Sequence, residues 1–247
     1  MRIRQTLIAI GTCGLLLAAA PSAGAAPDTT PPTITLAPTP TLEVWQANRG
    51  YLQLDSHWAA TDAGSGVAGY EAQANEWGDG YSTVNWYDAT LTESQIIAHF
   101  GTSYPAMRVR ATDAAGNTSA WVYGAPYALS AQQEDAQVVT ASSGWTRIVE
   151  QGAMGGHVLR ATSAGRSASI TIRARDIGVV ATLRPGAGAV RVLVDGRFIK
   201  TVNLGSDYVY QQSIVFKKHW AAVGRHTLKV VSAGGGPVEL DAFALLS

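Results

Sequence analysis

Apolar and polar residues alternate with a period of two over most of the chain, which is the pattern of half-buried β-strands. In the first half the pattern predicts strands at residues 33–37, 52–60, 67–74, 107–112 and 118–123. One segment departs from it. Thr92-Glu-Ser-Gln95 is a capping-box pattern, and it predicts a short helix that ends at Phe100, before Gly101.

The second half carries short alternating segments at regular spacing, separated by turn residues. They predict nine strands, at residues 145–149, 157–161, 167–173, 178–184, 189–194, 197–203, 210–216, 226–232 and 238–245. Asp195-Gly196 between two of these segments is a strong hairpin signal. Both halves therefore predict an all-β fold of two antiparallel β-sandwich modules.

The first 26 residues have the composition of a secretory signal peptide. Arg2 and Arg4 precede an apolar run over residues 7–20, and Ala23-Gly-Ala25 supplies small residues for cleavage. We expect cleavage after Ala25 or Ala26 and a location outside the cell or at its envelope. An uncleaved membrane anchor is the alternative, although the run is shorter than the roughly 20 residues that span a bilayer.

Cysteine content and charge limit the chemistry further. Cys13 is the single cysteine and lies in the signal segment, so the mature chain has neither a disulfide nor a thiolate site. Residues 27–130 contain three basic and ten acidic residues, whereas residues 131–247 contain thirteen basic and eight acidic ones. This reversal predicts two units, residues 27–130 and 131–247, with a boundary within 130–141. The basic half could contact an anionic cell-wall polymer, or the difference could reflect two differently solvated surfaces.

The first unit resembles a bacterial fibronectin type III or immunoglobulin-like domain. The resemblance rests on Trp58, on the Asp-Ala-Gly-Ser-Gly turn at residues 62–66, on Tyr70, and on Arg-Val-Arg-Ala-Thr-Asp-Ala-Ala-Gly-Asn at residues 108–117. It implies a β-sandwich with Trp58 in the core.

The second unit resembles the galactose-binding-like jelly rolls of secreted actinobacterial proteins. The matching phrases are Gly-Trp-Thr-Arg at 144–147, Val-Leu-Val-Asp-Gly at 192–196 and Val-Glu-Leu-Asp-Ala-Phe at 238–243. Sugar binding is implied by the fold of these relatives, and fold alone does not determine function.

Aromatic residues next to polar ones mark the candidate ligand-binding positions. The tentative set is Trp77, Asp79, Tyr81, Trp86 and Tyr87 in the first unit, and Arg184, Tyr208 and Tyr210 in the second. Flat rings beside acids and amides suit stacking on sugars, and loops on a rigid sandwich commonly carry binding residues. The alternative is that many of these rings face the core.

No catalytic, metal or cofactor motif accompanies them. The five histidines are scattered, and a Gly-x-Ser-x-Gly elbow is absent from the sequence. Asp62 and Asp113 could serve as calcium ligands, but their tight turns already explain both. We therefore expect a non-catalytic protein without metal or cofactor, with no nucleic-acid partner and no membrane insertion after signal cleavage.

Three functions remain open. The favoured one is binding of a glycan or cell-wall polymer. A second is a structural spacer or a protein-interaction and adhesion module without a small ligand. The weakest is a hydrolase that uses scattered acids such as Glu76 and Asp79.

Overall fold

The computed structural model describes residues 26–44, 51–75, 80–84, 88–99, 102–104 and 107–247. Strands make up 66% of it and helix 2%, and the sheets are antiparallel. The predicted all-β sandwich class is confirmed. Within these described ranges, none of the helices is long and apolar enough to cross a membrane.

Nine strands cover the first half and the start of the second. They are β1 (Thr33–Leu42), β2 (Tyr51–Thr61), β3 (Val67–Ala74), β4 (Ser82–Thr83), β5 (Glu93–His99), β6 (Thr102–Tyr104), β7 (Met107–Asp113), β8 (Val122–Tyr123) and β9 (Tyr127–Gln133). One sheet has the order β1-β2-β5 and a second has the order β4-β3-β7-β8. Their apolar faces enclose a core around Trp58, which is 1% exposed and donates its indole N–H to the Leu91 carbonyl at 3.0 Å.

Period-two alternation determines which side of β7 faces that core. Met107, Val109 and Ala111 are buried, whereas Arg108 and Arg110 point to the outer face. The strand predictions in this half hold apart from their ends, since β1 is longer and β8 shorter than expected.

The helix predicted from Thr92 to Phe100 is wrong, because residues 93–99 form strand β5. This strand pairs with β2 from His57↔Glu93 to Tyr51↔His99. Ile96 and Ala98 point into the core, while Ile97 between them is partly exposed. A helix of two turns is marginal in water, so the burial of this alternating face outweighs the local capping signal.

Eight further strands and a 3₁₀ turn at Met154–Gly156 complete the chain. The strands are β10 (Val139–Ala141), β11 (Thr146–Val149), β12 (His157–Ala161), β13 (Ser167–Leu183), β14 (Ala189–Val194), β15 (Arg197–Asn203), β16 (Tyr210–Gly234) and β17 (Val238–Leu246). They follow the order β11-β12-β17-β13-β16-β14-β15, with β10 on β13, β9 on β17 and β6 on β9. The Asp195-Gly196 hairpin is confirmed, with φ of 51° and 77° at the two turn residues.

Two pairs of predicted strands are continuous in the structure. β13 unites the predicted segments 167–173 and 178–184, and β16 unites 210–216 and 226–232. The pairing of β13 with β16 is interrupted between Ala174 and Asp176 and at two further places. Side chains from both arms, such as Ile170 and Val179, meet in one hydrophobic core.

The predicted boundary between residues 130 and 131 falls inside β9. This strand pairs with β6 of the first half and with β17 of the second. One core cluster contains Trp58 and Leu52 together with Ile214 and Leu246. Two polar contacts also join the halves: the Arg175 guanidinium donates to the Pro40 carbonyl at 2.5 Å, and Lys217 forms an ion pair with Glu43. Independent folding of the two units stays a prediction.

Candidate functional site

The loop between β15 and β16 presents the most exposed aromatic ring among the described residues. Tyr208 is 70% exposed, and its ring lies edge to face with that of Tyr210 at a centroid distance of 6.4 Å. The loop is held in place from below, because Leu204 is fully buried and the Ser206 amide donates to the Arg184 carbonyl at 3.2 Å. The structure therefore places the rings of Tyr208 and Tyr210 together and the backbone of the third candidate, Arg184, at the base of the same loop.

A row of polar side chains begins at Arg184. Its Nη2 lies 2.8 Å from Glu150 Oε2, with hydrogen-bond geometry, and 2.8 Å from Glu239 Oε2, as an ion pair. Gln211 donates to the other oxygen of Glu150, and Arg160 Nε donates to Glu239 Oε1 at 2.8 Å. Glu239 is almost fully buried, whereas Arg184 and Glu150 keep about a fifth of their side-chain surface exposed.

An irregularity in β16 lies next to Gln211, a member of this row. Gln212 has φ of 55°, a left-handed conformation that is uncommon for a residue other than glycine. It lies where the pairing of β13 with β16 shifts, and its side-chain Nε2 donates to the Gly152 carbonyl at 2.9 Å. Bulges of this kind occur often beside functional sites, where they redirect side chains.

Asp241 anchors the segment that carries Glu150. Its side chain is fully buried, and both carboxyl oxygens accept from the Met154 amide, at 3.1 and 3.2 Å. Burial raises the pKa of Asp241 to about 7, and the neighbouring carboxylates of Glu134 and Glu150 add to the rise.

A cleft of about 520 Å³ adjoins the loop. Asn203, the residue just before the loop, lines it together with Leu183, Val202 and Ile214 from the second half and Val44 from the first. Its volume falls within the usual range for small-molecule sites, and its walls are mainly apolar.

The first-half candidates are only partly described. Trp77, Asp79, Trp86 and Tyr87 lie outside the described residues. Tyr81 is described and lies on the outer face of the β4-β3-β7-β8 sheet, not in the core.

On that outer face, guanidinium groups cover the rings. The Arg108 guanidinium lies 4.4 Å from the Tyr81 ring centre and 4.3 Å from that of Trp121, and Arg110 covers Trp121 at 4.6 Å. Burial and the nearby Tyr123 raise the pKa of Tyr81, whereas Arg108 opposes the rise. These cation–π contacts occupy ring faces that a sugar would need.

The turns near Asp62 and Asp113 hold three carboxylates. One oxygen from each of Asp28, Asp62 and Asp113 lies within 4.8 Å of the others. Asp62 accepts the Gly64 and Gly66 amides at 3.0 and 2.8 Å, and Asp113 accepts the Asn117 amide at 2.7 Å. Backbone hydrogen bonds also lower the pKa of Asp28. The carboxylates thus stabilise the turns, as the sequence predicted for two of them.

Sequence reasoning missed Glu150, Gln211, Glu239 and Arg160 as members of the polar row, and it missed Gln212 as the irregular position beside it. Glu239 and Asp241 did carry a signal, because two acids in the otherwise apolar stretch 238–246 require buried partners. Gln212 carried none, since its left-handed conformation depends on the pairing of β13 with β16.

No family model and no curated protein matches the chain. Solved structures with a partly similar fold include a family two carbohydrate esterase from Cellvibrio japonicus, with 13% identity and a TM-score of 0.38 over 49% of this chain and 34% of that one. They also include two carbohydrate-binding modules. One is the CBM36-1 domain of a xylanase from the hindgut metagenome of Trinervitermes trinervoides, with 12% identity and a TM-score of 0.33 over 47% of this chain and 95% of that one. The other is a family 35 module from an environmental isolate, with 14% identity and a TM-score of 0.33 over 44% of this chain and 91% of that one.

The aligned part amounts to about a third of the esterase.

Proposed function

We propose that this protein is a secreted, non-catalytic glycan-binding protein whose contact site is the Tyr208 loop. The observation that carries the proposal is an exposed tyrosine, Tyr208, on a loop fixed at Leu204 and Arg184. An exposed ring on a rigid support loses little conformational freedom when a ligand binds, so its contact area contributes efficiently to affinity.

Glycan is the ligand class that fits the neighbouring groups. The apolar face of a sugar ring can lie on the Tyr208 ring, while its hydroxyl groups need both donors and acceptors nearby. Arg184 and Gln211 supply donors, and Glu150 supplies acceptor oxygens; all three retain partial exposure. A purely apolar ligand would displace water from these polar groups without replacing its hydrogen bonds, and this desolvation would weaken the binding.

The acids of the site support binding more than catalysis. Glu150 and Glu239 are paired with Arg184 and Arg160, so their oxygens are already held by guanidinium groups of the protein. Asp241 has a pKa near neutrality but is fully buried and so is shielded from a substrate. The hydrolase hypothesis drew on Glu76 and Asp79, which lie outside the described residues.

A scaffold role for the first half accompanies this proposal. Its three strands β1-β2-β5 and four strands β4-β3-β7-β8 agree with the fibronectin type III resemblance. The covered rings of Tyr81 and Trp121 favour a spacer over a second sugar platform. The order of charged, apolar and small residues in 1–26 supports secretion, and N-terminal sequencing of exported protein should begin at residue 26 or 27.

A glycan array and pull-down on insoluble cell-wall polysaccharide, with residues 27–247, test the binding function. We expect Tyr208→Ala to weaken binding by roughly 5- to 150-fold, the equivalent of about 1 to 3 kcal/mol for an anchor residue, and Tyr208→Trp to retain it. Thermal stability should barely change, because the ring is exposed. The matched control is Tyr123→Ala, which removes a 54% exposed tyrosine from the first half.

The absence of any bound glycan would refute the function. Loss of binding in Tyr123→Ala, with Tyr208→Ala unaffected, would refute the site and favour the outer face of the first half.

A further inference from the structure

Exposed cations are concentrated on one outer sheet face of the second half. The face, called here the basic face, consists of the outward positions of β13 (167–173), β16 (225–231), β14 and β15. Arg173, Arg225, Lys229 and Arg191 are all exposed on it. Strand register places them side by side: Arg173 is opposite Arg225, and Lys229 is opposite Leu193, two residues from Arg191.

One carboxylate, Asp195 in the β14–β15 turn, lies at the end of this face, where it accepts from the Thr227 amide and contacts His226. The strand segments 167–173, 189–194, 197–203 and 225–231 contain neither Asp nor Glu. Elsewhere in the second half, arginines such as Arg147, Arg160 and Arg184 are paired with carboxylates. Within the described residues, Arg173, Arg225 and Lys229 have no ion pair or hydrogen bond from their side chains.

The pair Arg173↔Arg225 is unfavourable for the fold. Two like charges directly opposite on neighbouring antiparallel strands repel each other, and a neutral residue at either position would remove the repulsion. An arrangement that is unfavourable for folding and lacks an internal counterion suggests a counterion from outside.

We propose that the basic face binds an anionic polysaccharide. This proposal rests on the proposed function only in that both assume a glycan ligand. Hydroxyl side chains lie between the cations: Thr171 and Thr227 share a hydrogen bond of 2.8 Å, and Thr201 is opposite Arg191. Such groups suit sugar hydroxyls, while guanidinium groups suit the anionic oxygens of a uronate or a phosphodiester.

The aromatic content of the face argues against single-stranded nucleic acid as the partner. Phe198 is its one aromatic ring, and Arg191 covers that ring at 5.1 Å. Sequence-tolerant binding of single strands depends on free rings on which successive bases stack.

The dimensions of the basic face match a polymer. Arg225 and Lys229 are four residues apart on one strand, which corresponds to about 13 Å, and four neighbouring strands span about 14 Å. Anionic groups on several consecutive sugars can therefore contact the face together.

Polygalacturonate supplies a test, with its methyl-esterified form as the neutral control. We expect wild-type protein to bind the first and not the second, with affinity that falls as salt rises. The double variant Arg225→Gln/Lys229→Gln should bind roughly 25-fold more weakly, taking about fivefold for each cation near an anionic surface. Measuring the affinity for poly(glycerol phosphate) in parallel shows whether the basic face prefers phosphate or carboxylate groups.

The matched control is Lys200→Gln/Lys218→Gln, which removes the same charge from two exposed lysines: Lys200 is opposite the buried Val192 and lies over Phe216, and Lys218 lies over Trp220, so neither is one of the four cations of the basic face. It should bind polygalacturonate as the wild type does. If both double variants lose the same affinity for polygalacturonate, the binding depends only on the net charge of the protein, and the proposal is overturned. Tighter binding to a DNA duplex or to phosphatidylserine vesicles than to either polymer, at the same salt, would also overturn it.

A melting curve of Arg225→Gln/Lys229→Gln separates binding from folding, and it should be unchanged or raised because the Arg173 repulsion is relieved. Tyr208→Ala should leave polygalacturonate binding intact. If neutral glycans fail to bind while polygalacturonate still depends on Arg225 and Lys229, the Tyr208 site fails and the basic face stands.

Discussion

The buried carboxyl of Asp241 makes a sharp prediction about stability and pH. An Asp has a pKa near 3.8 when the chain is unfolded, and burial raises the pKa of Asp241 to about 7 in the folded protein. Between these values the folded state binds more protons than the unfolded state. The free energy of unfolding therefore falls as pH rises from about 4 to about 7, and the stabilisation present at low pH is lost above the folded pKa.

The size of this effect follows from the pKa difference of about three units. Each unit corresponds to 1.36 kcal/mol, so ionised Asp241 destabilises the fold at pH 8 by on the order of 4 kcal/mol relative to the neutral form. Asp241→Asn keeps an oxygen that can accept the Met154 amide but cannot ionise. We expect the variant to be more stable than the wild type at pH 8 and close to it at pH 4.

Urea unfolding at half-unit steps between pH 4 and pH 8 measures the difference. Subtracting the two curves cancels the other titrating groups, including Asp176, whose pKa is also raised by burial. Parallel curves for wild type and Asp241→Asn would show that Asp241 is ionised throughout and would refute the reasoning. Asp176→Asn is the control, since it should alter the pH dependence without affecting the segment that carries Glu150.

Three further predictions concern the fold. Trp58→Ala should destabilise the protein by roughly 3 to 5 kcal/mol in urea unfolding, because it empties a fully buried site and removes the hydrogen bond to the Leu91 carbonyl; a change below 1 kcal/mol would contradict the core position. Gly196→Val should cost about 1 to 2 kcal/mol or more by the same assay, because φ is 77° there. A fragment of residues 127–247 should melt at a higher temperature than one of residues 144–247, since only the longer one retains β9 on β17 and β10 on β13; equal melting temperatures would show that β9 and β10 contribute nothing.

Features set by local pattern were predictable from the sequence. The alternation of Met107 to Asp113 placed β7, and Asp195-Gly196 placed the β14–β15 hairpin, because both signals need only neighbouring residues. Strand β5 was not predictable in this way. Its capping pattern favours a helix, and the preference for a strand arises only when Ile96 and Ala98 meet the core opposite Leu52 and Leu54.

The candidate site likewise combines residues with a local sequence signal and residues without one. Tyr208, Tyr210 and Arg184 are candidates from the sequence, because aromatic and basic residues beside turns are visible in one dimension. Glu150 and Glu239 lie far from Arg184 in sequence, and only the pairing of β12, β17 and β13 brings them within 2.8 Å. Long-range ion pairs of this kind have no local signature.

The continuity of β13 and β16 links these observations. Each strand was expected as two short pieces, yet each runs through with irregular pairing near Ala174 and Gln212. A bulge costs ladder hydrogen bonds, but it lets one strand contribute to two different surfaces. One end of β16 carries Gln211 beside the Tyr208 loop, and the other carries Arg225 and Lys229 on the basic face. Because the same strand carries both surfaces, their separation is set by the backbone of β16, and a substitution at one surface can be tested without removing the other.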